Sequence, residues 1–267
     1  MSKDAPMATS FARANAYPES DVPLPRLRTI CQLWSCAAVL GGVGVAAIAL
    51  DVPLARWVAA GHSPAFIVKL CSLSEIFSHG LGIVLILIAI AVLDPWHRYA
   101  IPRIAAASLG SGLVANALKL FVARMRPHHF DLSGHGLESF GEWFPLLTNS
   151  SWEQSFPSSH TATAAGLAIV LACFYPRGRW LFPAMAGLAG AQRVLEHSHF
   201  LSDVFWGAAI GCIFAPLCVY GGRLSSWFDW LEEELLVRAG LLARAVRPRR
   251  PAKSASADPV GSDFRAA

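Results

Sequence analysis

An all-α integral membrane bundle is the fold class this sequence predicts: six transmembrane helices, a helix along the outer interface, and an amphipathic helix near the C-terminal end. Three observations predict it. Only 15% of the 267 residues are Asp, Glu, Lys or Arg, against roughly a quarter in an ordinary soluble domain, so charge is too scarce to coat a water-soluble surface. Hydrophobic residues make up 54% and the mean hydropathy is +0.45, which excludes a disordered chain. The apolar residues also come in runs separated by short charged loops, the pattern of membrane spans.

The first run, Ile30 to Leu50, carries no charge over 21 positions, enough at 1.5 Å per residue to cross roughly 30 Å of hydrocarbon. It follows a polar stretch containing Pro18, Pro23 and Pro25, so residues 1–29 read as a tail and not as a signal peptide. The segment Asp51 to Glu75, with Trp57 and Pro64, is too long for a tight turn and is expected to lie along the outer interface as a short amphipathic helix. Five further runs follow: Ile76 to Leu93, Ile101 to about Arg124, Ser159 to Tyr175, Trp180 to about His197, and Val204 to Tyr220. Gly110, Gly112, Ala115 and Ala117 in one run, and Gly187, Ala189, Gly190 and Ala191 in another, are small enough to let helices approach closely in lipid. Residues 30–222 therefore form one transmembrane domain.

Beyond it, Leu224, Trp227, Phe228, Leu231, Leu235 and Leu242 recur at three and four with Glu232, Glu233 and Glu234 between them, an amphipathic helix. Arg244, Arg247, Arg249, Arg250 and Lys253 form a basic patch that reads either as a contact with anionic lipid or as a solvated tail. The Ala, Ser, Asp and Pro composition from Pro251 to Ala267 is that of a disordered segment. Residues 223–267 thus read as a separate cytoplasmic tail. Cys31, Cys36, Cys71, Cys173, Cys212 and Cys218 fall in or beside the apolar runs and are expected as free thiols.

Six spans put both termini on one side of the membrane. Sixteen of the 22 basic residues fall on the termini side, which the positive-inside rule assigns to the cytoplasm. The net charge of +4 is too weak and too scattered for a nucleic-acid partner.

Ionisable residues at membrane depth mark functional sites, and three clusters lie at outer ends of spans. Lys119 and Arg126, two helical turns apart, are expected on one helix face, with Pro127 turning Arg126 to an extended conformation; alone, such a pair also suits headgroup contact. Pro157, Ser158, Ser159 and His160 precede the fourth span, where a capped helix start offers an anion site and His160 a proton donor; alone, this is also an ordinary helix cap. In the third cluster, Arg193, His199 and Asp203, the i,i+4 interval lets Asp203 orient the imidazole, the arrangement of an activated nucleophile or of a structural hydrogen bond. Together they supply three cations, two hydroxyls, a helix N-terminus, two imidazoles and a carboxylate, an inventory suited to phosphoryl transfer through a phosphohistidine. That chemistry calls for no metal and no cofactor, and His128, His129 and His135 lack a metal-ligand pattern.

Lys119 to Pro127 resembles a Lys-x6-Arg-Pro signature, Pro157 to His160 a Pro-Ser-Gly-His signature, and Arg193 to Asp203 a Ser-Arg-x5-His-x3-Asp signature. These are the signatures of the type 2 phosphatidic acid phosphatases, which share a phosphate pocket with vanadium haloperoxidases. The resemblance covers Lys119 to Asp203 and, through the six-span layout, about Ile30 to Tyr220. It implies that Lys119, Arg126, Arg193, Ser158 and the backbone near Ser159 hold the phosphoryl oxygens, that His199 attacks phosphorus, that Asp203 orients it, and that His160 protonates the leaving oxygen. Two positions depart from the pattern, Ser159 for Gly and Gln192 for Ser. The implied protein is a metal-independent lipid phosphatase of a bacterial inner membrane with its site facing outward. Implied substrates are phosphatidate, phosphatidylglycerophosphate, undecaprenyl diphosphate or the phosphates of lipid A. A lipid phosphotransferase is the nearest alternative; a transporter or scaffold leaves the acid, base and cations unexplained, and six spans disfavour a haloperoxidase. The loop Pro127 to Phe156, with Trp143, Phe144 and Trp152, reads as a cap over the site or as an interfacial aromatic belt.

Overall fold

The computed structural model describes residues 26–146 and 150–240. The N-terminal tail up to residue 25, Leu242, the basic patch and the C-terminal segment lie outside the described residues. Each of the six apolar runs carries a helix: α1 (Arg26–Ala59), α3 (Gly80–Leu93), α4 (Ile101–Leu118), α5 (Ser159–Phe174), α6 (Leu181–Leu195) and α7 (Leu201–Val219). A short α2 (Ala65–Leu73) precedes α3, and α8 (Arg223–Arg238) follows α7. Three helical stretches, Arg28–Ala59, His97–Leu118 and Leu201–Val219, are long and apolar enough to cross a membrane. A fourth arises if Ala65–Phe77 and Gly80–Leu93, bent by 64°, count as one span. Ser159–Phe174 is apolar but shorter.

The fold differs from the sequence reading at several joints. Helix α1 does not stop at Leu50; it runs through Asp51 and Pro53 to Ala59, because the Asp51 carboxylate finds its partners inside the protein. Only Ala65–Leu73 and a 3-10 turn at Ser74–Phe77 remain of the expected outer interfacial helix. The third run ends its helix at Leu118, not near Arg124, and the chain continues as a strand, β1 (Val122–Arg124). This strand pairs antiparallel with β2 (Phe140–Trp143), Val122 opposite Trp143 and Arg124 opposite Phe140. The last run becomes helical at Leu201, three residues earlier than Val204.

Helices α1, α4 and α5 pack around α7, and α5 also packs against α4 and α6. Ten of the 16 residues of α5 are buried, so its small side chains and those facing it decide how near the helices come. At Gly207 of α7 a Cβ would strike the carbonyl oxygen of Ser158, and at Gly112 of α4 it would strike the Thr163 hydroxyl. Glycine at these two positions lets α4 and α7 close on the start of α5. The main core joins Ile83, Ile104, Leu167, Val170, Ala189 and Ala215 from α3 to α7.

Helix α8 spans most of the expected amphipathic stretch, and it packs on the bundle. Arg103, in the first turn of α4 and nearly buried, donates to Glu232 Oε1 and Asp229 Oδ1, both at 2.6 Å, and Phe228 is buried beside it. Trp227 and Trp230 stay exposed on the same helix. The six cysteines are free thiols.

Candidate active site

The three clusters converge at one end of the bundle, where each is carried by a different local device. Lys119 is the C-cap of α4, and its Nζ donates to the Gln154 carbonyl at 2.9 Å. Arg126 reaches the site along extended chain, with φ −76° and ψ 149°. The two therefore do not share a helix face, since β1 intervenes. The extended conformation that Pro127 was expected to impose is present, and the Arg126 backbone N–H donates to Trp152 while Nε donates to Ser151.

Ser158 caps α5 with φ −72° and ψ 108°, its hydroxyl accepting from Thr161 N at 3.4 Å and from Thr161 Oγ1 at 2.9 Å. With both contacts accepted, the Ser158 proton is left to donate elsewhere. Ser159 and His160 occupy the first turn of α5, where backbone N–H groups have no intrahelical acceptor and favour an anion. The His160 ring lies 6.2 Å from that of His79, centroid to centroid.

The third cluster depends on how α6 ends. Glu196 is its C-cap and His197 adopts a left-handed φ of 54°. The N–H of His197 returns to Val194 O and that of Ser198 to Arg193 O, a Schellman closure with histidine in the position glycine usually takes. His199 N also donates to Arg193 O, at 3.2 Å. The nucleophile candidate is thereby folded back over the cation six residues before it.

Arg193 Nη1 donates to Gln192 Oε1 at 3.3 Å and Glu196 Oε2 at 3.0 Å, and its buried Nε has no partner among the described residues. Gln192, in place of the expected Ser, is buried and donates to Glu196 Oε1 at 2.6 Å. It therefore braces the acidic partner of Arg193.

His199 is 1% exposed, with Nδ1 3.7 Å from Asp203 Oδ2. That separation is an ion-pair distance and too long for a hydrogen bond. Burial pulls the His199 imidazole down to about 4, outweighing the pull of Asp203 in the other direction, and leaves it neutral near pH 7. Burial, with Arg126 and Arg193 nearby, likewise pulls the Lys119 ammonium down to about 8. Lys119 and Arg126 act on His199, while Arg193, His199, Lys119 and His79 act on His160. The two imidazoles and three cations thus share one electrostatic field. A cavity of about 300 Å³, lined by Arg126, His128, His129, Ser151 and Trp152, opens beside them. Among the described residues no group of three His, Cys, Asp or Glu is placed to hold a metal ion.

Beneath the site lies a network that the sequence reading missed. Arg124, fully buried, donates Nη1 to Ser202 Oγ at 2.7 Å and to Asp203 Oδ1, Nη2 to Asp51 Oδ2 at 2.6 Å, and Nε to Ser139 Oγ at 2.9 Å. Its guanidinium is stacked on Phe140 and Phe200, with ring centroids at 4.3 and 4.5 Å. Asp203 Oδ2 accepts from Ser155 Oγ at 2.6 Å and Phe200 N at 2.9 Å. The available signals were a lone carboxylate after a long apolar run and an Arg two residues before Arg126. Neither identified a partner.

The family profile described as PAP2 superfamily matches residues 102–226, a span that contains all three clusters. Over residues 102–226 the chain is thus similar to the PAP2 superfamily. Among curated proteins, "Lipid A 1-phosphatase" of Rhizobium johnstonii is 36% identical over 132 residues, 49% of this chain and 46% of that protein. The protein of the same name from Rhizobium etli is 36% identical over 132 residues, 49% of this chain and 48% of that protein. The chain thus spans about half the length of the curated relatives it matches. A crystal structure titled the first transmembrane PAP2 type phosphatidylglycerolphosphate phosphatase from Bacillus subtilis aligns over 78% of this chain and 97% of that one, at 16% identity and a TM-score of 0.46.

Proposed function

We propose that this protein is a membrane lipid phosphatase of the PAP2 type that hydrolyses a phosphate or diphosphate monoester through a phosphohistidine on His199. The observation that supports the reading best is the buried His199 imidazole, 3.7 Å from a carboxylate that Arg124 also holds, with Lys119 and Arg126 acting on the ring. Lys119, Arg126 and Arg193 bind the nonbridging oxygens, with the Ser158 hydroxyl and the N-terminus of α5 at Ser159 adding donors. His199 Nε2 attacks phosphorus, and the ester P–O bond breaks as His160 gives its proton to the departing oxygen. Asp203 stabilises the cationic ring that results. In the second half, His160 accepts a proton from water, the water oxygen bonds to phosphorus, and the P–N bond breaks to release inorganic phosphate.

We place the protein in a bacterial inner membrane with six spans, both termini cytoplasmic and the site facing outward. The basic-residue count supports this sidedness. The names of the Rhizobium relatives make the 1-phosphate of lipid A the first substrate to test. The decisive experiment is phosphate release by purified protein from a panel of lipid A, phosphatidate, phosphatidylglycerophosphate and undecaprenyl diphosphate. It is run without an acceptor lipid, so that a phosphotransferase would release none. His199→Ala is expected to lower the rate below about a hundredth of wild type, since covalent catalysis is worth more than that. A variant that keeps more refutes His199 as nucleophile.

A further inference from the structure

The superfamily match begins at residue 102, yet the charge network under the site is completed from α1, by Asp51. This side chain is 1% exposed and sits in the last third of a long apolar helix, after an uncharged run. A carboxylate buried there is destabilising unless its oxygens are fully engaged. They are: Oδ1 accepts from the Ser202 backbone N–H at 2.9 Å, and Oδ2 accepts from the Ser202 hydroxyl and from Arg124 Nη2. Ser202 lies in the first turn of α7, so Asp51 supplies an acceptor that an N-terminal N–H otherwise lacks, at the positive end of the helix. Asp203, one residue on, uses the same helix start by accepting from Phe200 N. Arg124 lies between the two carboxylates and bonds to both.

From this arrangement we propose that Asp51 and Arg124 are positioning residues of the reaction: acting only through Asp203, they fix the distance and orientation of His199. The proposal rests on the phosphohistidine reading above. Asp203 Oδ2 already accepts from Ser155 Oγ and Phe200 N and lies 3.7 Å from His199 Nδ1. Attack by Nε2 makes the ring cationic, and closing that gap by less than ~1 Å gives the pair a charge-assisted hydrogen bond. Where the gap closes depends on where Oδ2 is held. Arg124 holds the other oxygen of that carboxylate, and Asp51 holds the far half of the Arg124 guanidinium. The planar fork can bridge two carboxylates only as arginine; lysine offers a single nitrogen. Asp51 also leaves the three buried side chains with one net negative charge, opposite in sign to the imidazolium formed in the first step.

The test separates positioning from mere folding by using two anions that read different parts of the site. Vanadate forms a five-coordinate adduct that needs the His199 ring in place. Inorganic phosphate needs Lys119, Arg126, Arg193 and the donors at the start of α5, but not the His199 ring. In Asp51→Asn, kcat on the best lipid phosphate is expected to fall at least about tenfold with KM little changed, as for other groups that orient a reacting side chain. Vanadate inhibition should weaken by a similar factor while the inhibition constant for phosphate holds. Arg124→Lys is expected to behave alike, and decides the matter by the same readings if Asp51→Asn cannot be purified. The proposal is overturned if both variants keep the wild-type kcat and vanadate sensitivity. It is equally overturned if vanadate and phosphate affinity fall together with the thermal midpoint, or if neither variant folds, because Asp51 and Arg124 would then be only structural. Wild-type protein that releases no phosphate from any lipid would instead refute the parent reading.

Discussion

Replacing Arg193 with lysine keeps the charge and removes the Nε donor. Arg193 Nη1 is committed to Gln192 and Glu196, whereas the buried Nε has no acceptor among the described residues. A buried donor without a partner is rare in a stable fold, and under the proposed reading a phosphoryl oxygen is the acceptor that Nε takes. Lysine retains the charge but loses both Nε and the fork geometry. A hydrogen bond to a charged group contributes about 1.5–3 kcal/mol, which at about 1.4 kcal/mol per decade corresponds to roughly 10- to 150-fold in affinity. Arg193→Lys should therefore raise KM for a lipid phosphate, and the inhibition constant of inorganic phosphate, by that range. Both are read from phosphate release in detergent micelles at fixed lipid mole fraction. If both constants stay within about twofold of wild type, a phosphate contact at Nε is refuted.

Lys119, pulled down to about 8 by burial and neighbouring cations, carries its charge below that pH and loses it above. KM should thus rise as pH goes from 7 to 9, and Lys119→Arg should remove that rise; a flat wild-type profile contradicts the assignment. Gly207→Ala puts a Cβ against the Ser158 carbonyl, so it should destabilise the protein by about 1–3 kcal/mol and misplace the α5 N-terminus, seen as a lower thermal midpoint and weaker phosphate inhibition. A cysteine at exposed Glu142, in a background without the native cysteines, should react with an impermeant thiol reagent on intact spheroplasts. One at exposed Arg177 should react only after lysis, and the reverse pattern would invert the sidedness.

Helix positions were legible because hydrophobic runs report burial in lipid directly, and α3, α5 and α6 lie close to their runs. The ends of helices were less so. The apolar residues of Leu120 to Ala123 look the same in a helix and in a buried strand, so the turn to β1 after Leu118 left no mark in the hydropathy. Residue type and spacing singled out Lys119, Arg126, Ser158, His160, Arg193, His199 and Asp203, and the fold brings them to one end of the bundle. Spacing along the chain could not reveal the partnership of Asp51 with Arg124 and Ser202, which spans 73 and 151 residues. Likewise, the exchange of Ser for Gln192 became interpretable only once Glu196 was seen to lie within its reach.

The central claim is that His199 carries the phosphoryl group, and stalling the reaction after its first half tests it most directly. A substrate with an aryl leaving group departs without a proton, so His160→Ala should still be phosphorylated but should lack the base that activates water. Quenching that variant in alkali, where phosphohistidine survives, and mapping the modification by mass spectrometry should locate the phosphoryl group on His199. Turnover of the aryl substrate with the phosphoryl group on another residue, or with none bound to the protein in single-turnover samples, would contradict the account.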